Sequence, residues 1–520
     1  MSESASGVGQ SQESSDLTGS RPRGHRTLAH KTASGVAWIS LFQVARQLLQ
    51  VASVSVLARK VPPSAYGLVA MAALITNFLE TVRDAGTGSA LVREREVSDD
   101  LAATVFWLTC GLGFGIALIM IAVSWPAAHF FHEPMVARVL QVLSIGFFVG
   151  TIGVVPLAML NREMAFRKVA LAQTAGAVSG TLAAITVALA GGGVWSLVSG
   201  TLVIATVTSL ALLVASPFRV KAVFRPADAR HMLSFGLNLS GFNVLNYFSR
   251  NADNLLVGKF LGSVSLGYYQ MGYTLMTYPL QNFASVVAQV VYPALSKMQD
   301  DRERFCAAYL RTCRLIGLLT FPLMLGLAVT AQPFVRVVLG AKWMPVAGLL
   351  LVFAPFGAAQ SISTTVGLIY NTQGRPDVLF RWSMFASVMY VASFALGLRW
   401  GILGVATCYA VVWFLLMVPS FMIPFRMVGL SGKQFLRTLW PTIWMSLVMA
   451  ALTEVWLQGL RWVGIQNAPA QLFSTVALGI AVYVTLILTV KPPVLSELAV
   501  ILKGSSRPLL QKIARCLPDT

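Results

Sequence analysis

Apolar runs of about twenty residues recur along most of the chain, separated by short charged or Pro/Gly-marked segments. A helix that crosses a bilayer needs about 20 largely apolar residues. On that criterion the pattern predicts fourteen spans, at about 34–57, 66–90, 102–124, 137–160, 169–190, 194–215, 234–258, 266–293, 309–330, 346–370, 380–398, 402–424, 437–457 and 471–490. The fold class is therefore an all-α polytopic membrane protein. The first, second, seventh and eighth spans differ from the rest because they carry many polar groups. No connecting segment is long enough for a catalytic domain, and no GxxxxGK[ST] phosphate loop occurs.

Positive charge fixes the orientation. Basic residues concentrate in cytoplasmic loops. With the N-terminus inside, the fourteen spans place 28 of the 39 Lys and Arg on the cytoplasmic side and 8 on the other, while Arg46, Arg83 and Arg250 fall within spans. Both termini are then cytoplasmic. The first apolar run is followed by no small-residue cleavage site and is read as a retained helix. The expected organisation is a polar tail at 1–32, a six-helix bundle at 33–216 and a basic cytoplasmic linker at 217–231. A second six-helix bundle follows at 232–425, then two additional helices at 426–491 and a basic cytoplasmic tail at 492–520.

The two bundles resemble each other. Residues 240–271 laid over 40–71 without a gap match at Ser40/Ser240, Phe42/Phe242, Val44/Val244, Gly67/Gly267 and Met71/Met271, with Gln43/Asn243 and Arg59/Lys259 similar. Asn161 before the fifth span likewise matches Asn371 before the eleventh. Six helices separate equivalent spans, and six is even. The halves therefore share one topology and are related by a pseudo-two-fold axis along the membrane normal. A cavity between them is the natural architecture.

Polar groups within a span are costly unless they face the bundle interior or water. Gln43, Arg46, Gln47 and Gln50 fall on one helical face, as do Asn243, Asn246, Arg250, Asp253 and Asn254 in the seventh span. Asn77, Glu80, Arg83 and Asp84 mark the second span, and Gln270, Thr274, Thr277, Gln281, Ser285 and Gln289 the eighth. These four helices are expected to line a hydrated, partly cationic cavity. For the Asn, Gln and Thr side chains, hydrogen-bonded glue between helices is an equal alternative. For Arg46 and Arg250 lining is preferred, since a guanidinium needs water, a carboxylate or a phosphate. Arg250 and Asp253 can instead pair along one helix. Glu80, Arg83 and Asp84 form either a structural ion-pair cluster or, with Asp253, a site for ion coupling.

Composition narrows the function further. The 520 residues are 56% hydrophobic and only 11% charged, against about a quarter charged in soluble domains. That excludes a soluble enzyme, a secreted scaffold and a nucleic-acid-binding domain, despite a net charge of +19. The five cysteines are scattered, without CxxC or zinc spacing. His129, His132 and Glu133 have metal-like spacing but sit in an outer loop, where interfacial placement is the usual reading, so no metal or cofactor is assigned. Gly146/Gly150 and Gly176/Gly180 suggest close helix contacts. Pro279 and Pro322 can kink helices. Trp343, Trp400 and Trp462 fit an interfacial aromatic belt.

Four stretches carry a family resemblance: 57–70 (LARKVPPSAYGLVA), 84–92 (DAGTGSALV), 161–167 (NREMAFR) and 250–259 (RNADNLLVGK). They resemble the polysaccharide transporter branch of the multidrug/oligosaccharidyl-lipid/polysaccharide exporter superfamily, in particular lipopolysaccharide-biosynthesis and colanic-acid-type flippases. The resemblance covers about 33–430. It implies a non-enzymatic flippase in the bacterial inner membrane that moves undecaprenyl-pyrophosphate-linked oligosaccharides from the cytoplasmic to the periplasmic leaflet. A polysaccharide polymerase and a chain-length regulator are the implied partners. Arg46 and Arg250 would meet the pyrophosphate, and Gln43, Gln47, Gln50, Asn243, Asn246, Asn77 and Gln281 the sugars. A cation-coupled multidrug antiporter would have the same bundles but an acid-dominated cavity. A membrane glycan polymerase would show a long outer loop instead of two matched halves.

Overall fold

The computed structural model describes residues 53–84, 91, 97–281, 291–292 and 295–490. Among these, every regular element is a helix. Lipid offers no hydrogen bonds to a backbone, and a helix satisfies its own. In chain order they are α1 (Ser53–Lys60), α2 (Pro63–Asp84), α3 (Asp99–Phe131), α4 (Pro134–Arg162), α5 (Phe166–Leu189), α6 (Val194–Ala215) and α7 (Pro226–Pro279). Then come α8 (Arg302–Val329), the short α9 (Ala331–Phe334), α10 (Ala341–Thr372), α11 (Pro376–Gly397), α12 (Gly401–Val428), α13 (Gly432–Trp462) and α14 (Ala468–Val490).

Nine helical stretches among the described residues are long and apolar enough to cross a membrane, or ten if α1 and α2, bent by 113° at Val61–Pro62, are taken as one. That tally treats Pro376–Val428 as one stretch. The chain in fact turns at Gly401, whose φ is +68°, and α11 packs against α12. The charged α7 falls outside the tally and is also two limbs. On a continuous helix residues 16 apart would lie roughly 24 Å from each other, yet the Tyr269 hydroxyl is 3.0 Å from the Asp253 carboxylate. The chain therefore folds back at Gly262, the one residue of α7 with non-helical angles (φ 80°, ψ 178°), a conformation that suits glycine. Helix thus occupies the described parts of the predicted second to fourteenth spans, while the first is described only from residue 53.

Packing sorts the helices. α3, α4, α5 and α6 pack together; α8, α10, α11 and α12 form a second group, and α13 and α14 join it chiefly through α8. The predicted small-residue contact is real in α5: a Cβ on Gly180 would lie 2.7 Å from the Gly200 carbonyl oxygen of α6, and one on Gly176 2.0 Å from the Thr208 hydroxyl. Of the α4 pair Gly146 is tight, against Leu202, whereas Gly150 faces open space. Between the groups runs the pairing of α2 with both limbs of α7. The linker expected at 217–231 is strapped to the start of α3: Lys221 pairs with Asp99 at 2.7 Å, Arg225 pairs with Asp100, and the Trp107 indole donates to the Lys221 carbonyl. The Asp99 carboxylate raises the Lys221 ammonium pKa above its ordinary value.

Candidate functional site at the seam between the halves

The seam is built around α2 and α7, the two elements that carry the polar stripes. Midway along it, Phe78 of α2 meets Tyr247 and Phe248 of α7 at ring-centroid distances of 5.7 and 5.1 Å. The Tyr247 hydroxyl donates to the Leu74 carbonyl at 2.7 Å. On the α7 face near this contact Arg250 is exposed, as is Asn77 on α2, while Glu80 and Arg83 are half-buried. The Arg83 guanidinium lies 4.9 Å over the Phe147 ring of α4, and both Glu80 and Arg83 are engaged with other groups. Gln281, just beyond Pro279, is exposed at the end of the second limb.

Asp253 behaves differently from its neighbours on the stripe. It is 5% exposed and turns into the second group, where it accepts the Tyr269 hydroxyl at 3.0 Å and the Asn254 backbone N–H at 2.8 Å. Tyr269 and Tyr273 both pack edge-on against Phe353 of α10. No Arg250–Asp253 ion pair forms: one side chain is exposed and the other enclosed. The seventh-span stripe therefore splits between an open and a core-facing side. Gln43, Arg46, Gln47 and Gln50 lie outside the described residues. So do the side chains of Asn243, Asn246 and Asp84, of which only the helical backbone is described.

At the end of the seam bearing Arg59 and Lys259 the two halves interlock, and they do so twice. A Cβ on Gly67 would lie 1.7 Å from the Ser263 carbonyl oxygen, and one on Gly267 2.0 Å from the Pro63 carbonyl oxygen. These four residues are two pairs 200 positions apart, Pro63/Ser263 and Gly67/Gly267, the offset of the expected repeat. Only glycine permits so close a backbone approach. The cations exchange in the same way. Arg59, at the end of α1, donates to the Val337 carbonyl, and Lys259 donates to the Phe130 carbonyl at the end of α3. Each caps the other half's helix terminus, where orphaned carbonyls and the helix dipole favour positive charge. A π-turn at Val335–Leu339, closed by Gly340 at φ +99°, presents the accepting carbonyls; Val338 also accepts from Ser55 at 2.7 Å.

Further crossings fill the rim. Lys342 donates to the carbonyls of Arg59 and Val61 at 3.0 and 2.8 Å. Ser263 donates to Glu133 at 2.6 Å, and the Lys259 ammonium is 3.5 Å from His132 Nδ1. Thus His132 and Glu133, set aside as interfacial loop residues, bind the opposite half; among the described residues no His/Cys/Asp/Glu cluster suits a metal. Trp343 corrects the aromatic-belt reading. It is 0% exposed, donates to the Ala58 carbonyl at 2.8 Å and lies edge-on between Tyr66 and Tyr268. Its indole N–H needed a buried acceptor, and the end of α1 supplies one. Trp400 and Trp462 are exposed, as a belt requires.

Sequence reasoning gave Arg59, Lys259 and Lys342 no place in the site, and read Glu133 and Trp343 only as interfacial. The signal was present at Arg59/Lys259 and Gly67/Gly267, both matched by the repeat, but the charges were read only as setting helix orientation.

A family model described as polysaccharide biosynthesis protein matches residues 56–348. The succinoglycan biosynthesis transport protein ExoT of Rhizobium meliloti (strain 1021) is 27% identical over 482 residues, 91% of this chain and 96% of its own length. The lipopolysaccharide biosynthesis protein WzxC of Escherichia coli (strain K12) is 25% identical over 429 residues, 81% of this chain and 86% of its own. Among solved structures, the lipid II flippase MurJ in an inward closed conformation aligns with a TM-score of 0.69 at 16% identity, covering 86% of this chain and 97% of that one. At such identity the likeness concerns the fold.

Proposed function

Because the chain belongs to the polysaccharide biosynthesis protein family, the polysaccharide transporter branch of the multidrug/oligosaccharidyl-lipid/polysaccharide exporter superfamily, we propose that it flips lipid-linked oligosaccharide repeat units across the bacterial inner membrane. The substrate is an undecaprenyl-pyrophosphate-linked glycan destined for a surface polysaccharide, and transport is non-enzymatic. Fourteen spans, both termini cytoplasmic, place the Arg59/Lys259 rim on the periplasmic face. The two six-helix halves rock about the α2–α7 seam, opening the cavity to one face at a time.

The observation that carries this reading is the reciprocal rim. Two halves joined by equivalent contacts, each made of a few hydrogen bonds and one glycine approach, suit an interface that closes and parts as a unit. In this state the periplasmic rim is shut. Arg250, open on the seam and without an acidic partner among the described residues, supports a phosphate-bearing substrate, since a guanidinium fork matches phosphate oxygens. Arg46 is assigned the corresponding role in the first half, with Gln43, Gln47, Gln50, Asn77, Asn243, Asn246 and Gln281 facing the glycan. Asp253, Glu80, Arg83 and Asp84 hold the bundles together or take part in ion coupling; the enclosure of Asp253 favours the first for that residue.

The test is to fasten the rim. In a background without the native cysteines, Glu133→Cys and Ser263→Cys place thiols where a 2.6 Å hydrogen bond now joins the halves. Oxidation should stop surface-polysaccharide export and a reductant should restore it, while each single variant exports under both conditions. Unchanged export with the cross-link formed in most molecules would refute a rim that must open.

A further inference from the structure

At the rim end, two cavities outside the seam meet along α9 and the start of α14. The first is polar, with a volume of about 300 Å³, and its walls include Gln332, Arg336, Arg461, Gln466 and Gln471. The Arg461 guanidinium donates to Gln332 at 3.1 Å, and neither Arg461 nor Arg336 has a carboxylate partner among the described residues. The second, about 490 Å³, is an apolar groove between α8, α13 and α14, with Leu323, Leu327, Phe334, Gly479 and Ile480 on its walls. The two adjoin in sequence on both sides: Thr330 and Phe334 of the groove flank Gln332 and Pro333 of the polar cavity, and Leu472 and Thr475 follow Gln471.

One group in the groove lacks a partner. Thr475 is 1% exposed, and its hydroxyl has no hydrogen-bond partner among the described residues. It stands four residues beyond Gln471, so about 6 Å deeper along α14. Two guanidiniums, a hydroxyl one turn beneath them and an apolar slot below match, in order, a phosphate, an ester carbonyl and an acyl chain.

We infer that this composite cavity binds an anionic glycerophospholipid of the leaflet at the rim face. Its phosphate lies between Arg336 and Arg461, an ester carbonyl accepts from Thr475, and one acyl chain fills the groove. A polyprenyl phosphate would satisfy the arginines and the groove but has no carbonyl to offer Thr475, which is why the glycerolipid is preferred. The two exposed tryptophans, Trp400 and Trp462, fit a headgroup-level setting for this end. The inference does not depend on which glycan is transported.

The test titrates the delipidated full-length chain in neutral detergent with phosphatidylglycerol, phosphatidylethanolamine or undecaprenyl phosphate, counting bound lipid by native mass spectrometry. Phosphatidylglycerol should bind more tightly than phosphatidylethanolamine. The double variant Arg336→Gln/Arg461→Gln should weaken it on the order of tenfold, and Arg336→Lys/Arg461→Lys should recover most of that loss. Thr475→Val should weaken the diester lipid about threefold, the value of one modest hydrogen bond, and leave its ether-linked analogue unchanged. Phosphatidylglycerol binding that is indifferent to the glutamine pair would overturn the site. Undecaprenyl phosphate binding more tightly than phosphatidylglycerol, with the same dependence on the arginines, would overturn the choice of lipid. Both arginines are exposed, and a shared thermal midpoint checks that the variants remain folded.

Discussion

Arg250 and Asp253 stand three residues apart on one helix and were expected to share a face, yet they occupy different environments. Arg250 is open on the seam, and Asp253 is enclosed by Tyr269 and the Phe353 layer. Their substitutions should therefore separate. Arg250→Gln should remove most export at matched expression without shifting thermal stability in detergent. Asp253→Asn leaves a buried, imperfectly bonded group and should cost about 1–3 kcal/mol of stability, visible as a lower unfolding midpoint, with export per folded molecule retained. The reverse assignment of the two phenotypes would contradict this division. The spacing could not reveal it, because helical periodicity says which residues share a stripe and not where the stripe's edge lies.

Gly67 and Gly267 were legible as a repeat match but not as a contact. An added methyl at either would meet a backbone oxygen, which cannot rotate away, so overpacking should cost about 1–3 kcal/mol. Gly67→Ala and Gly267→Ala should each favour the parted rim, raising labelling of a cysteine at Ser55 by a membrane-impermeant maleimide added from the periplasmic side. Equal labelling in the glycine variants and the parent would show that the close approach does not hold the rim shut.

At the scale of elements, the sequence marked α2 to α6, α8 and α10 to α14 well because long apolar runs announce helices directly, while the four-residue α9 was not marked. The divisions within them were harder. The turn at Gly262 does fall between the spans expected at 234–258 and 266–293, although the polar groups of this charged stretch blunt its apolar signal. The π-turn at Val335–Leu339 has no marker beyond Gly340. That turn and the end of α3 are the acceptors for Arg59 and Lys259, so the two crossings should be functionally equivalent. Arg59→Glu and Lys259→Glu each set a carboxylate against helix-terminal carbonyls, and each should raise Ser55→Cys labelling to a similar degree, the pair together more than either alone. A large effect from one and none from the other would mean that a single crossing holds the rim.

At the scale of the whole molecule, hydropathy and charge mark a polytopic membrane protein, and the offset of 200 residues points to two related halves. What neither could supply was how the halves touch, since contacts across a seam depend on backbone approach and on carbonyls that have no letter in a sequence. The rim supplies that missing piece, and on it rests the central proposal, that lipid-linked oligosaccharides pass between the halves when it opens. The most direct measurement is the leaflet in which completed repeat units accumulate in a bacterium lacking this gene, read from extracted lipid-linked oligosaccharides with and without prior exposure of the periplasmic face to a glycan-cleaving enzyme. Accumulation protected on the cytoplasmic side, with loss of surface polysaccharide and recovery on re-expression, is the expected result. Unpolymerised units exposed at the periplasm, or a glycan profile identical to the parent strain, would contradict it.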